Sequence, residues 1–262
     1  MNRAILCTLF ALPMFACSSS LTSLQPAAVL GKGQFHTGTG IVIPAPVTAA
    51  LKFKDGGNQA DAAFAAAANL PFPLTQTDVR MGFGYKLDAG LRISTDALTL
   101  SGKWQFLGNP NPGGFDGSVG LEISRHIFNN DAYANAVETN EALNLLNIAL
   151  FGIEDLQRID VTVPVLFGRQ PTHWLNYWWG PKYSFSRLDL KAAVDFGNAD
   201  DDINENLHYL GGTVGAAFGY KRAWVILELT GMNLFFNPEV GGQTFNASGL
   251  VLFPALGFMT RF

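Results

Sequence analysis

Apolar and polar residues alternate along several stretches of the chain, which is the two-residue period of a β-strand. In residues 80–87, Met81, Phe83 and Tyr85 fall on one face, while Arg80 and Lys86 fall on the other. Nine further strands are predicted on similar grounds, with a bulge expected near Ser186. They cover residues 34–43, 91–94, 98–106, 118–127, 159–167, 177–194, 210–220, 225–230 and 250–262.

The connections between these strands differ in length on alternate sides. Those predicted on one side are short, at 87–90, 107–114, 168–174 and 221–223. Those on the other side are long, at 44–75, 129–157, 195–206 and 235–246, and the tight turn at Asp96 is the exception. Short turns on one side and long loops on the other are typical of up-and-down barrels in an outer membrane.

Charge supports an all-β, antiparallel, up-and-down transmembrane barrel of about ten strands. Charged residues make up 15% of the chain, below the quarter that is usual in soluble domains. Strands that face lipid must close into a barrel, because open sheet edges are not tolerated there. The charged residues opposite the aliphatic faces are then expected in the lumen: Arg80, Lys86, Arg92, Lys103, Glu122, Asp160, Glu228 and Arg261. The alternative is a soluble sandwich or lipocalin-like barrel with its apolar face inward.

The first residues have the order of a secretory signal peptide. Arg3 precedes an apolar run that ends at Cys17, and this run is too short to span a bilayer as a helix. The sequence from Met14 to Cys17 resembles the lipobox of bacterial lipoproteins, in which the cysteine is acylated. Cleavage after Ser18 is the alternative. We therefore expect a signal peptide at 1–16, a periplasmic linker at 17–30 and a barrel at 31–262, with no disulfide.

The C-terminal residues carry a second resemblance. Aromatic Phe262 comes last, and Phe258 and Leu256 occupy alternate positions before it. This ending is similar to the signal that the barrel-assembly machinery reads in bacterial outer-membrane β-barrel proteins. The resemblance implies an integral protein of the Gram-negative cell envelope, with outer-membrane lipid as a partner and both termini in the periplasm. The net charge of −4 argues against nucleic acid as a partner.

Candidate chemistry is sparse. Glu122, Ser124 and His126 share one strand face and form a weak nucleophile–base candidate. Omptin proteases and lipid A deacylases are barrel enzymes, but their motif spacings are absent here. The acidic residues 200–202 with Glu205 are expected to form a solvated loop without a metal, and no cofactor is expected apart from lipid on Cys17.

Two long loops contain apolar runs that predict short helices, at 60–70 and 141–156. Loops 44–75 and 129–157 are therefore expected to cap the barrel mouth or to contact an envelope partner. Aromatic residues near the predicted short turns suggest an interfacial girdle: Trp174, Tyr177, Trp178, Trp179, Tyr220 and Trp224. The predicted function is a non-enzymatic structural or interaction component of the envelope. A narrow solute path and a surface hydrolase are the alternatives.

Overall fold

A computed structural model describes most of the chain from Leu21 onward. The described residues are 21–54, 61, 65, 73–109, 114–126, 153–192, 202–237, 239–240 and 243–262. The predicted signal peptide, Cys17, acidic residues 200 and 201, and most of the two predicted loop helices lie outside them. Of the 60–70 helix, Asp61 and Ala65 are described, and both are helical.

Ten long strands form a closed antiparallel barrel, as predicted from the alternation. They are β1 (Phe35–Val42), β3 (Leu74–Gly84), β4 (Leu87–Ser94), β5 (Ala97–Leu107), β6 (Phe115–His126), β7 (Ile153–Thr172), β8 (Leu175–Ala192), β9 (Asp202–Tyr220), β10 (Ala223–Phe235) and β13 (Gly249–Arg261). Each pairs with its neighbour in the sequence, and β1 pairs with β13 to close the ring. Ring closure leaves no unpaired edge for lipid to meet.

Short secondary-structure elements lie at the long-loop end of the barrel. They are the strands β2 (Ala45–Pro46), β11 (Glu239–Val240) and β12 (Gln243–Thr244) and the helix α1 (Val47–Lys54). Thr48 of α1 accepts a hydrogen bond from Leu250 N at 2.8 Å, and Asp61 accepts one from Asn246 N at 2.9 Å. Loop 44–75 is thus tied to β13 and the residues before it. No helix among the described residues is long and apolar enough to cross a membrane.

The strands differ from their predicted lengths in one respect. β7, β8 and β9 have 20, 18 and 19 residues, whereas about ten residues suffice to cross a bilayer. These strands therefore extend well beyond the apolar band at the long-loop end, where polar residues outside the predicted runs continue the pairing. The expected bulge near Ser186 is wrong, because β8 pairs with β9 in continuous register from Leu175 to Lys191.

The outer face of the barrel is apolar. Exposed large side chains on alternate positions include Leu91, Leu100, Ile123, Val214 and Leu227. The soluble alternative requires such residues to pack inward, so this arrangement contradicts it. Tyr177, Trp179 and Tyr220 lie on the outer face near the short turns, as expected of a girdle, and Trp174 is exposed in the turn between β7 and β8. The girdle prediction is wrong for Trp178 and Trp224, because their side chains are buried inside the barrel.

Gly215 on β9 makes room for the indole of Trp178. A Cβ at this position would lie 2.3 Å from two ring carbons of Trp178. We expect Gly215→Val to lower the free energy of unfolding by about 1–3 kcal/mol, the usual cost of overpacking a core. Gly102→Val is the matched control, because a Cβ at Gly102 meets nothing within 4 Å. Urea unfolding in lipid vesicles measures both, and equal stability of the two variants would contradict the packing.

Candidate functional site in the barrel interior

The barrel interior has a mainly polar side and a mainly apolar side. Most buried charged groups lie on β3 to β7, and most buried apolar side chains lie on β8 to β13, where Lys182 and Glu228 are charged exceptions. The polar set includes Gln76, Asp78, Arg80, Asp88, Arg92, Lys103, Gln105, Glu122, Arg158 and Asp160. The apolar set includes Leu207, Ile226, Met232, Leu234, Val251, Phe253 and Met259. The interior is therefore a packed core on one side and a charge network on the other.

Residues 21–30 lie inside the barrel, between these two sides. Every residue of this segment is buried except Ala28, which is half-buried. Leu24 packs near Gly40 and Gly257, and Ala27 packs near Gly168. The sequence led us to expect a periplasmic linker here, and the structure differs from that expectation. We call residues 21–30 the plug segment.

Three buried cations hold the carbonyl groups of the plug segment. Arg92 donates to Thr22 O at 2.9 Å, and Lys182 donates to Leu21 O at 2.6 Å. Lys103 donates to Pro26 O at 2.8 Å and to Ala28 O at 3.1 Å. A segment without regular secondary structure leaves its backbone groups open, and burial requires that they find partners. Here the barrel wall supplies those partners as charged side chains.

Acceptors on the wall bind the N–H groups of the same segment. Ser23 N donates to Glu228 at 3.0 Å, and Ser23 Oγ donates to Glu122 at 2.7 Å. Near the short-turn end, Val29 N donates to Gln105 at 3.0 Å, and Leu30 N donates to Asp88 at 3.1 Å. Hydrogen bonds to charged groups contribute about 1.5–3 kcal/mol each, so these contacts bind the plug segment along its length.

Ion pairs connect the wall residues to one another. Arg92 contacts Glu122 at 3.0 Å, and Arg80 pairs with Asp88. Lys103 lies 3.7 Å from the same Asp88 carboxylate. Asp88 and Glu122 each bind both a wall cation and the plug segment. Loss of either carboxylate would therefore leave buried groups unpaired on two sides.

The expected lumen charges fall into three groups. Arg80, Arg92, Lys103, Glu122, Asp160 and Glu228 are buried inside. Arg261 is half-buried at the short-turn end of the lumen, where it lines a small cavity together with Arg80 and Asp88, and its guanidinium lies 5.8 Å from the centre of the Trp224 ring. The prediction that Lys86 lies in the lumen is wrong. Lys86 lies in the turn between β3 and β4 with φ of 60°, and its ammonium donates to Gly108 O.

Two important lumen residues were missed from the sequence. Lys182 faces inward by the same alternation that places Tyr183 outward, so the pattern contained this signal. Asp88 was assigned to a turn at 87–90, whereas β4 already begins at Leu87. The plug segment itself has no alternation, and it gave no signal of burial.

The catalytic candidates on β6 do not form a nucleophile–base pair. Glu122 contacts Arg92 and Ser23, and Ser124 Oγ lies 2.9 Å from Thr99 Oγ1. His126 Nε2 lies 2.8 Å from Asp160, which Arg158 also binds. No hydrogen bond between Ser124 and His126 is present among the described contacts. The three residues act instead in separate parts of the buried network.

His126 also faces the turn between β4 and β5. Its Nδ1 lies 3.7 Å from Asp96 Oδ2, and both side chains are buried. Burial raises the pKa of Asp96, which belongs to the turn and not to a membrane-spanning strand. Within the described part of the chain, no group of three His, Cys, Asp or Glu residues is placed to hold a metal ion.

The described residues enclose one small cavity beside the plug segment at the short-turn end. A cavity of about 10 Å³ lies near the short-turn end, lined by Gln25, Pro26, Ala28, Leu30, His36, Arg80, Asp88, Lys103 and Arg261. Such a volume holds at most about one water molecule. At this level of the barrel, the plug segment and the wall side chains fill the lumen.

Comparisons with known proteins return barrels of varied roles. No protein-family model and no curated protein matches the chain. Among solved structures, Ail, the attachment invasion locus protein of Yersinia pestis, is 11% identical, covers 88% of this chain and 99% of its own, and gives a TM-score of 0.37. Neisserial surface protein A is 8% identical, with 87% and 96% covered and a TM-score of 0.36. The outer membrane protease OmpT of Escherichia coli is 10% identical, with 88% and 94% covered and a TM-score of 0.38.

Proposed function

We propose that the chain is an integral outer-membrane barrel whose lumen is closed by its own plug segment, and that it serves the envelope as a structural or interaction component. The observation that carries this proposal is the burial of residues 21–30 between charged wall residues that bind their backbone groups on both sides. A solute path needs an open lumen, and the plug segment occupies that space. The hydrolase alternative receives no support from the contacts on β6.

Planar-bilayer recording of the full-length mature protein tests this proposal. A closed barrel gives no conductance steps after insertion, which a heat-modifiable gel shift of the same sample verifies. Regular steps at neutral pH would favour the alternative, a narrow solute path. If the protein shows a hydrolytic activity, loss of that activity in the Ser124→Ala variant would favour the hydrolase alternative.

The exposed surfaces offer two kinds of partner. The proposed assembly signal at Leu256, Phe258 and Phe262 is exposed on the outer face of the barrel, where the assembly machinery has access to it during biogenesis. Loops 44–75 and 129–157 are proposed to contact an envelope partner at the long-loop end. Short turns mark the periplasmic side of outer-membrane barrels, so Phe262, which lies at the short-turn end, is assigned to the periplasmic side. The plug segment enters the lumen from this end at Leu30 and reaches Lys182 at Leu21.

We further propose that Cys17 is the acylated N-terminus of the mature protein. Cys17 precedes Leu21 by four residues, which span at most about 14 Å when extended. The lipid must therefore reach the bilayer over a short tether from the lumen. Intact mass of the membrane-extracted protein is expected to show a chain that begins at Cys17 and carries acyl chains. An unacylated chain that begins at Ser19 would contradict this and indicate the alternative cut.

A further inference from the structure

The short-turn end of the barrel carries exposed positive charge without exposed carboxylate side chains. Lys32, Arg169, Lys221 and Arg222 are exposed there, and Lys86 is half-buried in its turn. Asp88 and Asp116, the acidic residues nearest this end, are buried inside. The turns between the long strands at this end, at 85–86, 108–114, 173–174 and 221–222, contain no Asp or Glu in the sequence.

The opposite rim has mixed charge. Arg125 and Arg187 are exposed on its outer face, but Arg187 lies 3.9 Å from Asp189. Glu205 and Asp61 are on the same end, and the long loops contain most of the remaining acidic residues of the chain. Among the described residues, the short-turn rim therefore exposes positive charge, whereas the opposite rim carries both signs.

The cations of the short-turn rim are set among aromatic side chains. Lys221 Nζ lies 5.1 Å from the centre of the Tyr220 ring, and the Arg222 guanidinium lies 6.0 Å from that of Phe262. Arg169 pairs with Phe115 on one neighbouring strand and with Tyr177 on the other. Aromatic rings of this kind mark the boundary between hydrocarbon and headgroups. The cations beside them thus lie at the depth of the headgroups.

We infer that the short-turn rim binds the headgroups of anionic phospholipids, through Arg169, Lys221 and Arg222 with Lys32 and Lys86 beside them. Guanidinium and ammonium groups at a membrane surface attract phosphate-bearing lipids, and each contributes measurably to binding. Arg169 is decisive for the choice of partner, because it lies on the outer face of the wall between two aromatic residues. A polymer beneath the membrane would approach the turns, whereas a headgroup reaches this side of the wall.

This inference rests on the proposed membrane residence and is independent of the plug segment. The test is native mass spectrometry of the folded full-length protein incubated with equal amounts of phosphatidylglycerol and phosphatidylcholine. The wild-type protein should retain phosphatidylglycerol preferentially. In the triple variant Arg169→Gln, Lys221→Gln and Arg222→Gln, the ratio of retained phosphatidylglycerol to phosphatidylcholine should fall at least about tenfold. The matched control, Arg125→Gln with Arg187→Gln at the opposite rim, should keep it.

Several results would overturn the inference. They are equal retention of the two lipids by the wild type, an unchanged preference in the triple variant, or an equal loss in the control. Binding of soluble polyglutamate without any lipid preference would assign the rim to an anionic polymer instead. A protein that shows no heat-modifiable shift and does not insert into vesicles would contradict the proposed membrane function itself, so the two failures are distinguishable.

Discussion

Deletion of residues 21–30 is expected to make the barrel conduct ions, whereas the full-length protein is expected to show no conductance. The deletion removes the chain that occupies the lumen and exposes Arg92, Lys103, Lys182, Glu122 and Glu228 to water. Charged groups that lose their partners in a buried site draw water in, because an unpaired buried charge costs several kcal/mol. Planar-bilayer recording should show steps for the deletion variant and none for the full-length protein.

The control for this experiment keeps the plug segment in place. A cross-linked variant, Ala27→Cys with Gly168→Cys, should remain silent while oxidised, since a Cβ at Gly168 would lie 3.0 Å from that of Ala27. A deletion variant that folds, inserts and stays silent would contradict the role of the plug segment. It would mean that the wall side chains close the lumen on their own.

Replacement of Glu122 by leucine is expected to lower the free energy of unfolding by about 3–5 kcal/mol, as removal of one partner of a buried ion pair does. Glu122 accepts from Arg92 at 3.0 Å and from Ser23 at 2.7 Å, and its side chain is buried. Of the two hydrogen bonds that Arg92 makes to described residues, the variant keeps the one to Thr22 O. Urea unfolding in vesicles, followed by tryptophan fluorescence, measures the loss.

A double variant separates the buried charge from the packing. Arg92→Met combined with Glu122→Leu removes both charges, and buried pairs replaced by apolar residues often cost little. We expect the double variant to be more stable than Glu122→Leu alone. Equal or greater destabilisation of the double variant would show that the charge left on Arg92 is not the cause. Glu205→Leu, at a half-buried position on β9, should change stability by less than about 1 kcal/mol.

The strands were predictable because an up-and-down barrel repeats one local rule. Leu91, Leu100 and Ile123 face outward, and Arg92 and Glu122 face inward, so the alternation places both sets correctly. The rule is weaker on β10 and β13, where Ile226 and Met259 are buried inside opposite Leu227 and Phe258. Apart from Glu228 and Thr230 on β10, the inward positions of these strands are largely apolar like the outward ones. Composition alone cannot show that one face is a packed interior.

The plug segment was not predictable, because its burial depends on distant residues. Ser23 is bound by Glu228, 205 positions later in the chain, and Leu21 by Lys182, 161 positions later. Nothing in residues 21–30 repeats with a strand or helix period. Their irregular backbone is stable inside the barrel only because charged groups on several strands converge on it. That convergence is a property of the closed ring and not of any local sequence.

The most direct test of a lumen closed by the N-terminal segment is disulfide formation between Ala27→Cys and Gly168→Cys in the folded, membrane-inserted protein. A disulfide needs its Cβ atoms about 3.5–4.5 Å apart. A Cβ at Gly168 would lie 3.0 Å from that of Ala27 and 2.7 Å from Tyr177 O, so the bridge also requires β7 to shift slightly relative to β8. Peptide mapping by mass spectrometry should find the cross-link after mild oxidation, and should find none when Ala27→Cys is combined with Gly102→Cys on the outer face. Absence of the Ala27–Gly168 cross-link in a heat-modifiable, correctly inserted barrel would place the segment outside the lumen and contradict the closed-barrel account.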